Sequence, residues 1–299
     1  MQKIAAWFNA ARLRTLPLSL SGILVGTGLA SFYEKKDLSI FILALLTTVG
    51  FQVTSNFAND YGDGVKGTDN EDRIGPKRAF QSGLLSRKEL KIGILIAVLI
   101  STVFALSALF LAFGTNDIEY FTLFVVLASL SIWAAIKYTV GKSAYGYKGL
   151  GDIFVFLFFG LLAVLGSLFL YTKFITAFAW LPAITVGALS TGVLNLNNLR
   201  DVVSDKKANK NTVIVKMGFE NGKKYHYVLL IVSFLAMLAF IVFNFKYWYQ
   251  FIPLLAFIPI AVHFRTVVKT EKPVLLDPEL KKLALSTFLM SILFYITFN

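Results

Sequence analysis

Asp and Asn side chains recur at helical spacing in two segments of the chain. The first segment reads NFANDYGDGVKGTDNEDRIGPKRAF and contains Asn59 and Asp63, and the second reads LNLNNLRDVVSDKKANKNT and contains Asn197, Asp201 and Asp205. Because residues four apart share one face of a helix, stacked carboxylates repel each other unless a cation lies between them. Oxygen ligands without His or Cys favour Mg²⁺, which proteins usually share with substrate phosphates. Each segment therefore predicts a site for Mg²⁺.

Basic residues follow both acidic segments. Acids for Mg²⁺ beside cations for anionic oxygens are what a diphosphate site requires. Asn and Asp are also common in solvated turns at helix ends, but two such clusters at equivalent positions favour the diphosphate site. The candidate metal ligands are Asn59, Asp63, Asp69, Asn197, Asp201 and Asp205. The candidate diphosphate-binding residues are Arg73, Lys77, Arg78, Lys142, Lys148, Arg200 and Lys210.

A third segment with polar chemistry reads KYTVGKSAYGYKGLGD and includes Tyr138 and Asp152. Interfacial tyrosines are often membrane anchors, whereas an acid at the start of an otherwise apolar span is costly unless it is paired. The candidate catalytic residues are Asp60, Asp63, Asp201, Asp205, Tyr138 and Asp152. The chain has no Cys and only two His, and we expect His226 at the surface and His263 in packing contacts, with neither in catalysis.

The elements that position these residues are apolar. The composition, 57% hydrophobic and 15% charged, excludes an ordinary water-soluble enzyme. We predict an all-α integral membrane protein, because nine stretches reach the roughly 20 residues that a helix needs to cross a bilayer. The predicted spans are 16–32, 38–57, 92–113, 120–136, 153–171, 176–196, 225–243, 248–268 and 283–298. This arrangement puts the acidic segments in two long loops, 58–91 and 197–224.

The basic residues are unevenly divided between the two sides of the predicted membrane domain. The net charge of +12 would suggest a nucleic-acid partner in a soluble protein. Here most Lys and Arg fall on the side of the N-terminus and of the two long loops, which predicts a cytoplasmic N-terminus and a lipid bilayer partner instead of a nucleic acid.

The two acidic segments also suggest an internal repeat. Asn59 and Asp63 recur as Asn197 and Asp201 at one common offset. We predict a single polytopic domain over 1–299, built from two related four-helix units, 15–140 and 152–268, with a ninth helix at 283–298.

Four motifs together resemble the UbiA family of intramembrane aromatic prenyltransferases. They are ARLRTLPLSL, NDYGDGVKGTDNEDRIGPKRA, YTVGKSAYGYKGLGD and LNNLRDVVSDKKANKNT. The family's first motif is written N-x-x-x-D-x-x-x-D. Asn59 and Asp63 fit it, but the next acid, Asp69, comes two residues late, which resembles the naphthoate subgroup. Asn197, Asp201 and Asp205 fit the second motif without a gap.

The resemblance implies nine transmembrane helices around a central cavity, with Mg²⁺ as the cofactor. It implies transfer of a polyprenyl group from polyprenyl diphosphate to 1,4-dihydroxy-2-naphthoate, with loss of CO₂ and diphosphate. The product would be demethylmenaquinol, made at the cytoplasmic face of a bacterial inner membrane for menaquinone synthesis. Two alternatives stay open: a UbiA-type enzyme for another acceptor, 4-hydroxybenzoate or homogentisate, and a membrane transporter, since nine spans with a pseudo-repeat also suit one.

Overall fold

The computed structural model describes residues 2–68 and 78–299, and all regular structure in these two ranges is helical. We number the helices in chain order, and short 3₁₀ turns connect several of them. They are α1 (Gln2–Ala11), α2 (Leu16–Phe32), α3 (Leu38–Lys66), α4 (Arg87–Phe113), α5 (Ile118–Lys137), α6 (Gly151–Thr172), α7 (Trp180–Arg200), α8 (Val202–Lys207), α9 (Val213–Met217), α10 (Phe219–Phe243), α11 (Trp248–Lys269) and α12 (Pro273–Phe298).

The prediction of nine membrane spans is confirmed for the described part of the chain, which contains nine helices long and apolar enough to cross a bilayer. The prediction of loops beginning at residues 58 and 197 is wrong for the first part of each acidic segment. Helix α3 continues through Asn59 and Asp63 to Lys66, and Gly67 follows it with a φ of +71°, the left-handed conformation that ends many helices. The second segment continues α7 as far as Arg200 and then forms α8.

The chain divides into two compact units. The first unit contains residues 1–16, 42–151 and 203–212, and the second contains 17–41, 152–202 and 213–299. In the first unit, one face of α1 packs against α3, where the rings of Trp7 and Phe57 meet edge to face at 5.2 Å. In the second unit the buried core includes Leu189 of α7 and Met237 of α10, both fully enclosed.

Two glycines in α2 allow close helix packing inside the second unit, as their GxxxG spacing predicts. A Cβ atom at Gly22 would lie 2.4 Å from the Cβ of Ala163, and one at Gly26 would lie 2.4 Å from the carbonyl oxygen of Val164. Both contacts fall on the part of α6 from Phe156 to Gly166, which is wound as a π-helix. The backbone of α2 therefore lies close to the backbone of α6, with only small side chains such as that of Ala163 at the contact.

Candidate active site

The last turns of α3 hold the acids of the first segment below the protein surface. Asp60 is fully buried and Asp63 is 7% exposed. One turn earlier, the buried Asn56 side chain donates to the carbonyl oxygen of Ala11 at 2.8 Å, which ties α3 to the end of α1. Because the helix continues through the motif, Asn59 and Asp63 share one helical face.

Tyr147, in the segment between α5 and α6, contacts the first motif directly. Its hydroxyl donates to Oδ1 of Asp63 at 2.8 Å, and the Thr68 hydroxyl oxygen lies 2.6 Å from the Tyr147 hydroxyl oxygen. The ammonium group of Lys66 stands 3.7 Å from the centre of the Tyr147 ring. The hydrogen bond to Oδ1 restricts the rotamer of the Asp63 side chain. The other carboxylate oxygen, Oδ2, can then bind a cation. Tyr147 belongs to the third polar segment of the sequence, but its residue type and spacing do not assign it to the site.

The third segment joins the first motif to the last acid of the second one, within a single compact unit. The carbonyl oxygen of Tyr147 accepts a hydrogen bond from the Asn211 backbone at 3.1 Å. Nearby, Lys210 pairs with Asp205 at 3.4 Å and its ammonium group lies 5.9 Å from the Tyr147 ring. Three segments that are far apart in sequence therefore converge on one cluster of two acids, two lysines and a tyrosine.

We expect Tyr147→Phe to lower kcat about tenfold, because a hydrogen bond to a charged group contributes about 1.5 kcal/mol. The substitution keeps the ring under Lys66 and removes the hydroxyl that donates to Asp63 and contacts Thr68. Steady-state prenyl transfer by the purified protein measures the change. Tyr145→Phe is the matched control, since that hydroxyl donates to the carbonyl oxygen of Ala134 at 2.8 Å and burial raises the pKa of its phenol. An equal loss of kcat in both variants would contradict a specific role for Tyr147.

The first two residues of the second motif lie in the other compact unit, at the end of α7. The guanidinium of Arg200 donates to both carboxylate oxygens of Asp201, at 2.7 and 2.6 Å, and to the side-chain oxygen of Asn197 at 3.0 Å. Its remaining nitrogen donates to Asp277, in the first turn of α12, at 2.6 Å. Arg200 thus donates hydrogen bonds to two residues that were predicted to bind metal, Asn197 and Asp201.

The other predicted site residues occupy varied positions. Asp152, 5% exposed, lies in the first turn of α6, and its Oδ1 has no hydrogen-bond partner among the described residues. Tyr138 follows α5 and is half-buried, whereas Lys142 and Lys148 are exposed. The predictions for Asp69, Arg73 and Lys77 lie outside the described residues.

A cavity of about 210 Å³ in the first unit brings together residues that the sequence analysis did not connect. Arg12, Arg14, Arg78 and Asp60 are among the residues that line it, together with the apolar Phe8 and Leu13. Arg12 has a left-handed backbone, with φ of 50°, an uncommon conformation for a non-glycine residue. The only sequence signal for Arg12 and Arg14 was their place in the ARLRTLPLSL motif.

The donor set of the acidic motifs suits a hard cation. Asp63, Asp201 and Asp205 supply carboxylates and Asn59 and Asn197 supply amide oxygens. Within the described ranges, no group of three His, Cys, Asp or Glu side chains is close enough to hold a metal ion by itself. Mg²⁺ usually keeps several waters and takes one or two carboxylates together with substrate phosphates.

Residues 19–293 match the sequence model of the UbiA prenyltransferase family. This chain belongs to that family. The UbiA resemblance of the sequence motifs is therefore confirmed, and it covers nearly the whole membrane domain. Membership favours a transferase over the transporter that nine spans alone left open.

This UbiA family member is similar along its whole length to two bacterial enzymes named 1,4-dihydroxy-2-naphthoate octaprenyltransferase. It is 42% identical to the enzyme of Haemophilus influenzae, over 98% of this chain and 95% of the relative. It is 40% identical to the enzyme of Escherichia coli, again over 98% of this chain and 95% of the relative.

Solved structures share the UbiA fold at much lower identity. A UbiA homolog from Aeropyrum pernix K1 has a TM-score of 0.73 at 14% identity, over 93% of this chain and 96% of that one. A UbiA homolog from Archaeoglobus fulgidus bound to GPP and Mg²⁺ has a TM-score of 0.66 at 15% identity, over 96% of this chain and 99% of that one. At these identities the likeness establishes the helical membrane fold.

Proposed function

We propose that the protein transfers an all-trans polyprenyl group from polyprenyl diphosphate to 1,4-dihydroxy-2-naphthoate. The acceptor loses CO₂ and the donor loses diphosphate, which gives demethylmenaquinol for menaquinone biosynthesis. The observation that carries this proposal is the identity of at least 40% with two naphthoate octaprenyltransferases over nearly the full chain. The acidic motifs, with their hard oxygen ligands and adjacent cations, are the chemistry that such a substrate needs.

We propose that Asp63, Asp201 and Asp205 hold the diphosphate through Mg²⁺, with Asn59 and Asn197 as further oxygen ligands. Bound Mg²⁺ supplies neutralisation of the diphosphate charge that grows as the allylic C–O bond breaks. Tyr147 keeps Asp63 in one rotamer, and Lys210, beside Asp205, supplies a positive charge for the leaving group. The electron-rich naphthol ring then attacks the allylic carbon. Tyr138, Lys142 and Asp152 are our candidates for orienting the acceptor or the diphosphate.

The arginine-lined cavity suits an aromatic acid. Arg12, Arg14 and Arg78 supply charge-assisted donors for a carboxylate, while Phe8 and Leu13 supply apolar contact for a ring. A hydrated diphosphate gains nothing from the apolar part of that wall, whereas a hydroxynaphthoate uses both parts. We therefore propose that the acceptor's carboxylate binds in this cavity.

We expect Arg14→Gln to raise the KM for 1,4-dihydroxy-2-naphthoate about tenfold, because it removes one charge-assisted hydrogen bond to the carboxylate. The KM for polyprenyl diphosphate should stay within about twofold of wild type, since a substrate outside the cavity loses no contact. Initial rates with each substrate varied in turn measure both constants. Arg87→Gln is the matched control, because Arg87 lies over the Phe80 ring and does not line the cavity. A rise confined to the diphosphate KM would contradict this placement of the acceptor.

The acceptor assignment is tested by offering the purified protein a polyprenyl diphosphate with each of three acceptors. We expect the prenylated naphthoquinol from 1,4-dihydroxy-2-naphthoate and no product from 4-hydroxybenzoate or homogentisate. Product from one of those two acceptors alone would overturn the proposal.

The same preparation, incubated with EDTA, should lose turnover and regain it when Mg²⁺ is added back.

We place the acidic motifs at the cytoplasmic face of a bacterial inner membrane. The bias of Lys and Arg toward the side of the N-terminus supports this orientation. Polyprenyl diphosphate can then enter from the bilayer while the soluble naphthoate arrives from the cytoplasm.

A further inference from the structure

Arg200 and the second acidic motif form a compact ionic cluster at the end of α7. The Arg200 side chain is 6% exposed and the Asp201 side chain 12% exposed. All three guanidinium nitrogens are engaged: Nε and Nη2 on Asp201, Nη2 also on Asn197, and Nη1 on Asp277. A buried carboxylate needs such a partner, because an uncompensated charge in the interior is costly.

The same oxygens are the ones that we assign to metal binding. Arg200 donates to both oxygens of Asp201 and to the side-chain oxygen of Asn197. A divalent cation on those oxygens would stand a few ångströms from the guanidinium, where two positive charges repel strongly in a poorly solvated site. Metal binding on Asn197 and Asp201 therefore disfavours this position of Arg200.

Asp277 offers Arg200 a second anchor on a different helix. It contacts only Nη1, the one nitrogen that does not touch the motif, at 2.6 Å, and its side chain is 50% exposed. If Arg200 leaves Asp201, it can rotate about this contact and keep a carboxylate partner. Without Asp277, its strongest contacts would be those to Asp201 alone.

We infer that Asp277 is a positioning residue that draws Arg200 off Asp201 when the second motif binds a divalent cation. This inference rests on the proposed function, since it requires Asn197 and Asp201 to be metal ligands. It places the release of the motif under the control of the first turn of α12. Arg200, held beside the site by Asp277, is then available to the oxygens of the diphosphate.

The experiment measures Mn²⁺ binding to the purified full-length protein in the presence of inorganic diphosphate, using the electron paramagnetic resonance signal of Mn²⁺ compared with a protein-free blank. We expect Asp277→Asn to weaken Mn²⁺ binding about fivefold, because the guanidinium then stays on Asp201. Arg200→Gln removes the competing cation, so it should tighten Mn²⁺ binding. The decisive variant combines both substitutions: it should bind Mn²⁺ as Arg200→Gln does, since Asp277 acts only through Arg200.

Asp37→Asn is the matched control for losing an acid at a helix start. Asp37 accepts hydrogen bonds from the backbone of Ser39 and Ile40 at the start of α3 and should leave Mn²⁺ binding unchanged. A fivefold loss that persists in the double variant would overturn the inference, because Asp277 would then act independently of Arg200. If Arg200→Gln fails to fold, the single variant Asp277→Asn still tests the inference. Equal Mn²⁺ affinities for Asp277→Asn and the wild type would then overturn it. Absence of Mn²⁺ binding by the wild type would overturn the proposed metal site as well.

Discussion

The double substitution Asp63→Asn with Asp201→Asn should lower turnover about a thousandfold or more while the protein still folds. Each change keeps the size and hydrogen-bonding shape of the side chain and removes one negative charge. An amide at the buried position 63 has little affinity for Mg²⁺. An amide at position 201 likewise cannot replace the Asp201 carboxylate, which pairs with Arg200. Both acidic motifs are impaired together, so neither can compensate for the other.

The measurement is the rate of naphthoate prenylation at saturating substrates and excess Mg²⁺, with thermal unfolding in detergent as the test of folding. Asp117→Asn is a suitable control, because that acid lies between α4 and α5 and belongs to neither motif. Turnover within tenfold of wild type in a folded double variant would show that these acids do not carry the reaction.

Glu279→Ala should destabilise the protein by about 3 kcal/mol, since it leaves the buried His263 N–H without an acceptor and opens a cavity where the side chain was. Glu279 is 2% exposed and accepts a hydrogen bond from Nδ1 of His263 at 2.6 Å. His263 in turn lies 2.9 Å from His226, nitrogen to nitrogen, and both rings are buried. Without the carboxylate, the His263 N–H has no acceptor and the His pair loses its fixed tautomers.

The midpoint of thermal unfolding in detergent measures this loss, and Lys282→Ala provides the matched control. Lys282 pairs with the other oxygen of Glu279 at 2.5 Å, but its side chain is 57% exposed, so removing it should cost at most about 1 kcal/mol. Equal shifts of the midpoint in the two variants would contradict the view that burial of the His263 contact sets the cost.

The helices could be predicted from sequence because their signal is local. A run of about 20 apolar residues predicts a span without knowledge of its neighbours. The bounds were less accurate where a helix left the apolar zone: α3 continues nine residues past the predicted end of its span at Phe57, through the acids to Lys66. The polar sequence suggested a loop, whereas the absence of Pro and the packing of α1 allow a helix.

The contacts inside the candidate site could not be predicted in this way, because they depend on tertiary packing. The prediction of a surface position for His226 is wrong: it is fully buried against His263, which follows it by 37 residues. Nothing in the spacing of Arg12 and Asp60 indicates that they line one cavity. The residue types of the metal site follow from spacing on a helical face, but Tyr147 and Asp277 were found only as partners of the acids.

The contacts of Tyr147 also constrain when the site can assemble during biosynthesis. Its hydroxyl binds a residue made long before it, Asp63, and its carbonyl oxygen binds the backbone of Asn211, made long after it. A chain emerging from the ribosome therefore cannot complete this cluster until its sixth span, which ends at Arg200, and the residues that follow have been synthesised. A shorter nascent chain carries the first acidic motif but lacks Lys210, the cation that the second segment contributes to the cluster. The ability to bind substrate therefore arises only late in synthesis.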